Sequence, residues 1–321
     1  MRLSRLVLPL VGIALLILFF SLVPSTDGTP TRTFFLTLDN FKFVAAQTAV
    51  VAVATLGMTL IIATGGIDLS AGAILSLSSV ATAVLLQQGH STWLAIGLAL
   101  LIGLAAGAIN GGVVSYYRIT PWITTLGMAG IASGIAQWLA REPSVPAPAT
   151  WLNAVMVPFS QWFWVAPGVW ITLLLAIGLA LLFRNTVFGR HLLAIGTGEE
   201  AARLVGINVP LIRLWAYAAG GALFGLAGLL HMARLREVSP SIFGLTLDII
   251  AAATVGGVRL GRGGGGSVLG AIFGAFLVTL LRNGCQQAGW NPAVQNIAVG
   301  AALVLAVALQ QVRELPATAT R

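Results

Sequence analysis

The chain has 321 residues, 58% of them hydrophobic and 8% charged, and a formal net charge of +8. So little charge excludes a water-soluble globular domain, and repeated runs of about 20 apolar residues match the ~30 Å hydrocarbon core of a bilayer at 1.5 Å per helical residue. The lone Cys285 excludes an internal disulfide, and no regular series of short alternating segments suggests a membrane β-barrel.

The predicted fold is all-α: a polytopic transmembrane helical bundle, one domain over residues 1–321, with about ten spans and both termini in the cytoplasm. The first span, Leu6 to Val23, follows Arg2 and Arg5 as a signal peptide would. Leu22, Val23 and Pro24 offer no small-x-small cleavage site, so it is read as an uncleaved helix. After an external loop with Asp27, Arg32 and Asp39, the second span runs from Phe43 to Ala63 and stops at Thr64-Gly65-Gly66. The third begins at Asp68 and runs to Leu86, before a tight outer turn at Gln88-Gly89-His90. The fourth, Trp93 to Ser115, leads to the inner Tyr116-Tyr117-Arg118, and the fifth covers Pro121 to Leu139.

Residues 141–165 form an external loop that carries Trp151, Trp162 and Trp164. The sixth span, Pro167 to Phe183, ends at Arg184 and leads to a polar segment, 197–209. The seventh runs from Leu211 to Ala233, and residues 234–244 lie outside. The eighth, Leu247 to Val255, is too short to cross unless it is buried in protein; it ends at Gly256-Gly257 and an inner glycine-rich loop with Arg259 and Arg262. Ser267 to Leu281 and Val294 to Gln310 complete the set.

This layout puts Arg2, Arg5, Arg118, Arg184, Arg190, Arg203, Arg213, Arg259, Arg262, Arg313 and Arg321 inside. Arg32, Lys42, Arg141, Arg234, Arg236 and Arg282 fall outside. The positive-inside bias sets the orientation and accounts for the basic charge without nucleic acid. Lys42 is the only lysine and sits in no Gly-x-x-x-x-Gly-Lys-Ser/Thr setting, so the chain carries no phosphate-cradling loop for nucleotide hydrolysis.

Gly103, Gly107 and Gly111 recur every fourth residue on the fourth span, as do Gly266, Gly270 and Gly274 on the ninth. Small residues at that spacing make a flat stripe for close helix approach. The intramembrane acids are the next signal, because a charge in lipid is expensive. Asp68, in Gly65-Gly66-Ile67-Asp68-Leu69-Ser70, reads as the N-cap of the third helix, a role compatible with lining a pathway or meeting a partner domain. Gly256-Gly257-Val258-Arg259-Leu260-Gly261 echoes this segment, as related halves of an internal repeat would. Asp248 reads as the cap that opens the eighth span. Ser76, Ser78, Ser79, Thr82, Asn110, Thr120, Thr124, Thr125 and Asn283 add neutral hydrogen-bonding groups, which suit a polyol better than an ion, and each has the plainer role of a satisfied group facing another helix. His90, His191 and His231 show no metal-ligand spacing.

The stretch Glu199-Glu200-Ala201-Ala202-Arg203-Leu204-Val205-Gly206 is a polar island between two apolar runs, a compact element held out of the bilayer for something soluble. With Ile207-Asn208-Val209, the Gly65–Ser70 segment, Ser239-Pro240-Ser241, Val255-Gly256-Gly257, Gly265-Gly266-Ser267-Val268-Leu269-Gly270 and Asn283-Gly284, it resembles, over nearly the whole chain, the ribose-type permease family of bacterial ABC importers. The resemblance implies a type II ABC importer-like membrane subunit that carries a monosaccharide across the inner membrane by alternating access. It implies a separate ATPase subunit that binds ATP and Mg, a periplasmic sugar-binding protein, a second permease chain, identical or related, and a lipid surround; the permease itself has no cofactor and makes no bonds. Glu199, Glu200, Ala201, Ala202, Arg203 and Gly206, within the segment 197–209, would dock the ATPase. Gly65, Gly66, Asp68, Ser70, Asn110, Thr124, Asp248 and Asn283 would line the path or the helix break. Relatives often carry Glu two places before the aspartate equivalent to Asp248, where this chain has Thr246; if that acid shapes the outer vestibule, the departure bears on substrate or partner preference. Two rivals differ in class: an ion-coupled secondary transporter with Asp68 and Asp248 as ion sites, and a membrane enzyme, for which no catalytic cluster is visible.

Overall fold

The computed structural model describes residues 4–24, 31, 35–157, 164–240, 243–258 and 267–314. The sequence readings placed on Arg2, Asp27, Arg32, Trp162, Ser241, the loop 259–266 with Arg259, Arg262 and Gly266, and Arg321 lie outside those residues.

In chain order the elements are α1 (Ser4–Leu22), α2 (Leu38–Ala63), α3 (Ala71–Gln87), α4 (Thr92–Tyr116), α5 (Pro121–Ala140), β1 (Val145–Pro146), α6 (Trp151–Met156) and α7 (Pro167–Asn185). There follow α8 (Val187–Thr197), α9 (Glu199–Leu204), α10 (Val209–Arg234), β2 (Glu237–Val238), α11 (Phe243–Val255), α12 (Val268–Gln287) and α13 (Pro292–Glu314). Local chemistry sets many starts. Thr37, Ser91 and Ser267 accept hydrogen bonds from the Asn40, Leu94 and Gly270 amides at the heads of α2, α4 and α12. Pro121 and Pro167 open α5 and α7, where a missing N–H is harmless.

Among the described residues, α2, α4, α5, α7, α10, α12 and α13 are long and apolar enough to cross a membrane, and α1, α3 and α11 are shorter apolar helices. The bundle therefore shows seven helices of spanning length where the sequence suggested about ten. α11 has 13 residues, about 20 Å of rise, and packs against α2, α12 and α13. That matches the expectation that so short a helix must be buried in protein. α2 and α10, 26 residues each, form the centre, and α10 packs most extensively on α4.

The α4–α10 contact is made by glycine. A Cβ on Gly103 would strike the Gly221 carbonyl, one on Gly107 the Tyr217 carbonyl, and one on Gly111 the Leu214 and Tyr217 atoms. From the other side, Gly221 and Gly225 meet the backbone of Gly103 and Ala99. The second stripe behaves likewise, Gly270 against Gly256 and Gly274 against Ala252, which joins α12 to α11.

The two ends of the bundle differ. At one, β1 pairs antiparallel with β2, Val145 opposite Val238, and Gln87 donates to the Pro146 carbonyl at 2.7 Å. At the other lie α8, α9 and the break after α2. Exposed Trp93, Trp138, Trp151 and Trp164 ring the first end, and Tyr116, Tyr117, Trp122 and Trp215 the second. Amphipathic rings at two levels are the pattern of side chains placed at the two surfaces of a bilayer.

Candidate functional site

The polar island folds into a cornered pair of helices. Thr186 caps α8 by accepting from the Gly189 amide at 3.0 Å, and α8 runs into the six-residue α9 through Gly198. Glu199 and Glu200 occupy the first turn of α9, where the helix dipole favours negative charge, and Arg203 the last. The stop is a Schellman turn: Gly206, at φ 83°, donates to the Arg203 carbonyl and Ile207 to that of Ala202. A side chain at 206 would be strained in that left-handed conformation, so the sequence glycine has a backbone reason.

One face of α9 is turned inward. Ala202 packs with Ile195 and Val209, flanked by Ile207 and Ile212. Glu199 is held by Arg203 at 2.6 Å on its own helix and by Arg213 on α10. Partial burial pushes the Glu199 carboxyl up, but the hydrogen bonds from Arg213 and Arg203 outweigh it and leave the pKa below the ordinary 4.5. The outward face carries Glu200, Ala201, Arg203, Leu204 and Val205. Leu204 is 88% exposed and Val205 76% exposed. The sequence expectation grouped both acids as contacts for a partner; the fold distinguishes them, with Glu199 paired to Arg203 and Arg213 and Glu200 facing out. It also adds Leu204 and Val205, which an apolar sequence does not distinguish from buried neighbours.

Beneath α9 a cavity of about 420 Å³ reaches the helix break. Thr64, Gly65, Gly66, Ser115, Arg118, Glu199, Arg203 and Arg213 line it. The break itself is a buried polar knot. Gly65, at φ 83°, turns the chain out of α2, and a Cβ on Gly66 would collide with the Tyr217 hydroxyl. Asp68 is fully buried; it accepts from the Ser70 amide at 2.7 Å, from the Ser70 hydroxyl, and from Asn110 Nδ2 at 3.4 Å. Asn110 also donates to Ser70 Oγ at 3.0 Å. The expectation that Asp68 caps the third helix is corrected: α3 starts at Ala71 with Ser70 in the cap position, and Asp68 stabilises the turn before it. Thr125, not Thr124, completes the knot by accepting from the Leu69 amide at 3.0 Å. The echo at α11 is partial, since Gly257 also sits at φ 88°, but it is the second glycine of its pair where Gly65 is the first.

Asp248 needs a second correction. It lies inside α11, not at its head, and accepts from Arg282 Nε at 2.6 Å. Arg282 in turn belongs to α12, which continues to Gln287, so the arginine expected in an outer loop neutralises the acid within the bundle. Asn283 pairs with Asn40 in a reciprocal amide contact, 3.0 Å each way, and Gln287 adds a third amide at 2.7 Å. It joins α2 to α12 away from the Asp68 knot. Thr246, the departure noted in the sequence, accepts from the Gly72 amide at 3.1 Å and so touches the first turn of α3.

The model of the family described as the permease component of the branched-chain amino acid transport system matches residues 40–307. The chain is similar to the ribose import permease protein of Escherichia coli K12, 34% identical over 280 residues, 85% of this chain and 86% of that one. To the galactose/methyl galactoside import permease of the same organism it is 35% identical over 299 residues, 87% and 88% of the two chains. To the autoinducer 2 import system permease of Yersinia pseudotuberculosis serotype O:3 it is 31% identical over 285 residues, 86% and 79%. A solved metal-chelate type ABC transporter in an inward-facing conformation superposes at TM-score 0.50 with 15% identity, over 95% of this chain and 97% of that one, a likeness of fold.

Proposed function

Since this chain belongs to the permease family of ABC sugar importers, we propose that it forms the membrane path of a binding-protein-dependent importer that carries a monosaccharide across the bacterial inner membrane by alternating access. In this reading the α8–α9 end faces the cytoplasm, together with both termini, and docks a separate ATPase subunit that binds ATP and Mg. The opposite end, with β1, β2 and residues 141–165, receives the sugar-loaded binding protein. A second permease chain, identical or related, completes the pore.

The observation that carries the reading is α9: an outward face of Glu200, Leu204 and Val205 on an element anchored to the central helix. Force on α9 reaches α10 by two routes, the Glu199–Arg213 ion pair and the packing of Ala202 on Val209 and Ile212. α10 in turn touches α2, α3 and α4, so its displacement moves the bundle core. ATP-driven closure of the ATPase pair then biases an existing equilibrium between outward- and inward-open states.

The test is Glu200→Lys, which reverses an exposed charge without touching the core. It abolishes ATP-dependent sugar uptake while membrane insertion and thermal stability stay at the parent level; normal accumulation in cells with this variant sinks the assignment. The ion-coupled alternative gains no support from the relatives; Asp68 accepts from Ser70 and Asn110, and the charge of Asp248 is balanced by Arg282 on one of its two oxygens. Uptake that collapses with an uncoupler but survives ATP depletion would favour it.

A further inference from the structure

A second cavity, about 180 Å³, lies within one chain toward the β1–β2 end, between α2, α10, α11 and α12. Its polar lining comes from four helices: Gln47 on α2, His231 and Arg234 on α10, Asp248 on α11, and Thr279 and Arg282 on α12. Some of these groups are already committed. Arg282 donates to Asp248 Oδ2 at 2.6 Å and to Asn296 at 3.1 Å, and Thr279 donates to the Ala275 carbonyl at 2.8 Å. Three buried atoms on the wall are not committed. Gln47 Oε1, Asp248 Oδ1 and Arg234 Nε–H have no hydrogen-bond partner among the described residues.

Their chemistry selects a ligand. Each buried polar atom left unpaired is destabilising, more so when charged. A cation would satisfy Gln47 and Asp248 but meet Arg234; an anion would satisfy Arg234 but meet Asp248. A hydroxyl both donates and accepts, so vicinal hydroxyls on one small molecule satisfy two acceptors and a donor together. Size agrees for part of the molecule: a cavity of roughly 150 Å³ accommodates the six heavy atoms of benzene, and one of about 180 Å³ accommodates one edge of a monosaccharide with its vicinal hydroxyls.

We propose that this cavity is a subsite for a neutral monosaccharide inside a single permease chain, in which Gln47 and Asp248 accept sugar hydroxyls, Arg234 donates to one, and Arg282 fixes Asp248 in place. It rests on the sugar-permease reading and deepens it by naming where within one chain the sugar pauses.

The test uses the purified full-length chain in detergent with D-ribose and D-galactose, each up to ~100 mM, as probes and sucrose at equal osmolality as control. Sucrose stabilises by exclusion from the surface and, with two rings, exceeds the cavity. The expected result is a saturable rise in Tm of about 2–4 °C over sucrose with at least one monosaccharide. Gln47→Leu and Arg234→Met, on different helices, each abolish that rise; if one fails to fold, the other decides. A rise no larger than with sucrose, or one unchanged in either folded variant, overturns the subsite. ATP-driven import into proteoliposomes with the ATPase and binding protein separates the two levels. Import without the sugar-specific rise removes the subsite and leaves the permease reading standing; no import of any monosaccharide removes the reading beneath it.

Discussion

Leu204→Ala with Val205→Ala isolates the apolar part of the α9 surface. The two substitutions delete three and two carbon groups from side chains that are 88% and 76% exposed. At roughly 0.8 kcal/mol per buried CH₂, scaled by the area still open to cover, full burial against the ATPase contributes about 3 kcal/mol, or about 10²-fold in affinity. Neither side chain supports the isolated chain, because both face solvent, so its Tm stays within about a degree of the parent. The assay is the affinity of the ATPase subunit for the permease in lipid nanodiscs, alongside ATP-dependent uptake. The expected outcome is a loss of about a hundredfold in affinity at constant permease stability. A change below about threefold would refute the argument that these side chains are buried on docking.

Asn283→Leu removes one arm of the amide pair with Asn40 and lowers stability by about 1–3 kcal/mol, read as a drop in Tm, while uptake per folded transporter is unchanged; lost uptake at normal Tm would restore Asn283 to the sugar path. Gly107→Leu drives a side chain into the Tyr217 carbonyl and separates α4 from α10; overpacking of this kind is destabilising by about 1–3 kcal/mol or more, seen as a lower Tm and a lower folded yield in detergent. The depressed pKa of Glu199 also has a pH consequence. Its pairing with Arg213 and Arg203 contributes stability that is full above the ordinary carboxylate pKa of 4.5 and is lost as pH falls through the lower folded value. Tm therefore falls more on acidification in the parent than in Glu199→Gln, and parallel pH profiles would refute the ion pair's contribution.

The helices were legible because twenty-residue apolar runs and their Gly and Pro punctuation are local signals. The span starts found for α5 and α7 coincide with their prolines, and α2 ends at the Thr64-Gly65-Gly66 that the sequence marked. The partners of polar groups were not legible. Asp248 and Arg282 are 34 residues apart, and Asn40 and Asn283 are 243 apart. In such pairs the sequence shows two isolated polar residues, each of which reads as a cap or a path residue until the fold supplies the other. α8 escaped for a different reason: at 11 residues it is too short for a span, so a reading by span length passes over it. The outward turn of Leu204 and Val205 depends on where Ala202 points, which the Schellman turn at Gly206 decides.

The glycine seam between α4 and α10 has a mechanical consequence. Where most helix pairs interlock through side chains, Gly103, Gly107, Gly221 and Gly225 set backbone against backbone. Such a seam holds the helices close and in one register, because a shift along the axis would bring a residue with a Cβ against a carbonyl that only glycine clears. α10, which begins five residues after α9 ends, is thereby keyed to α4, and the two helices form one tightly registered pair beside α9.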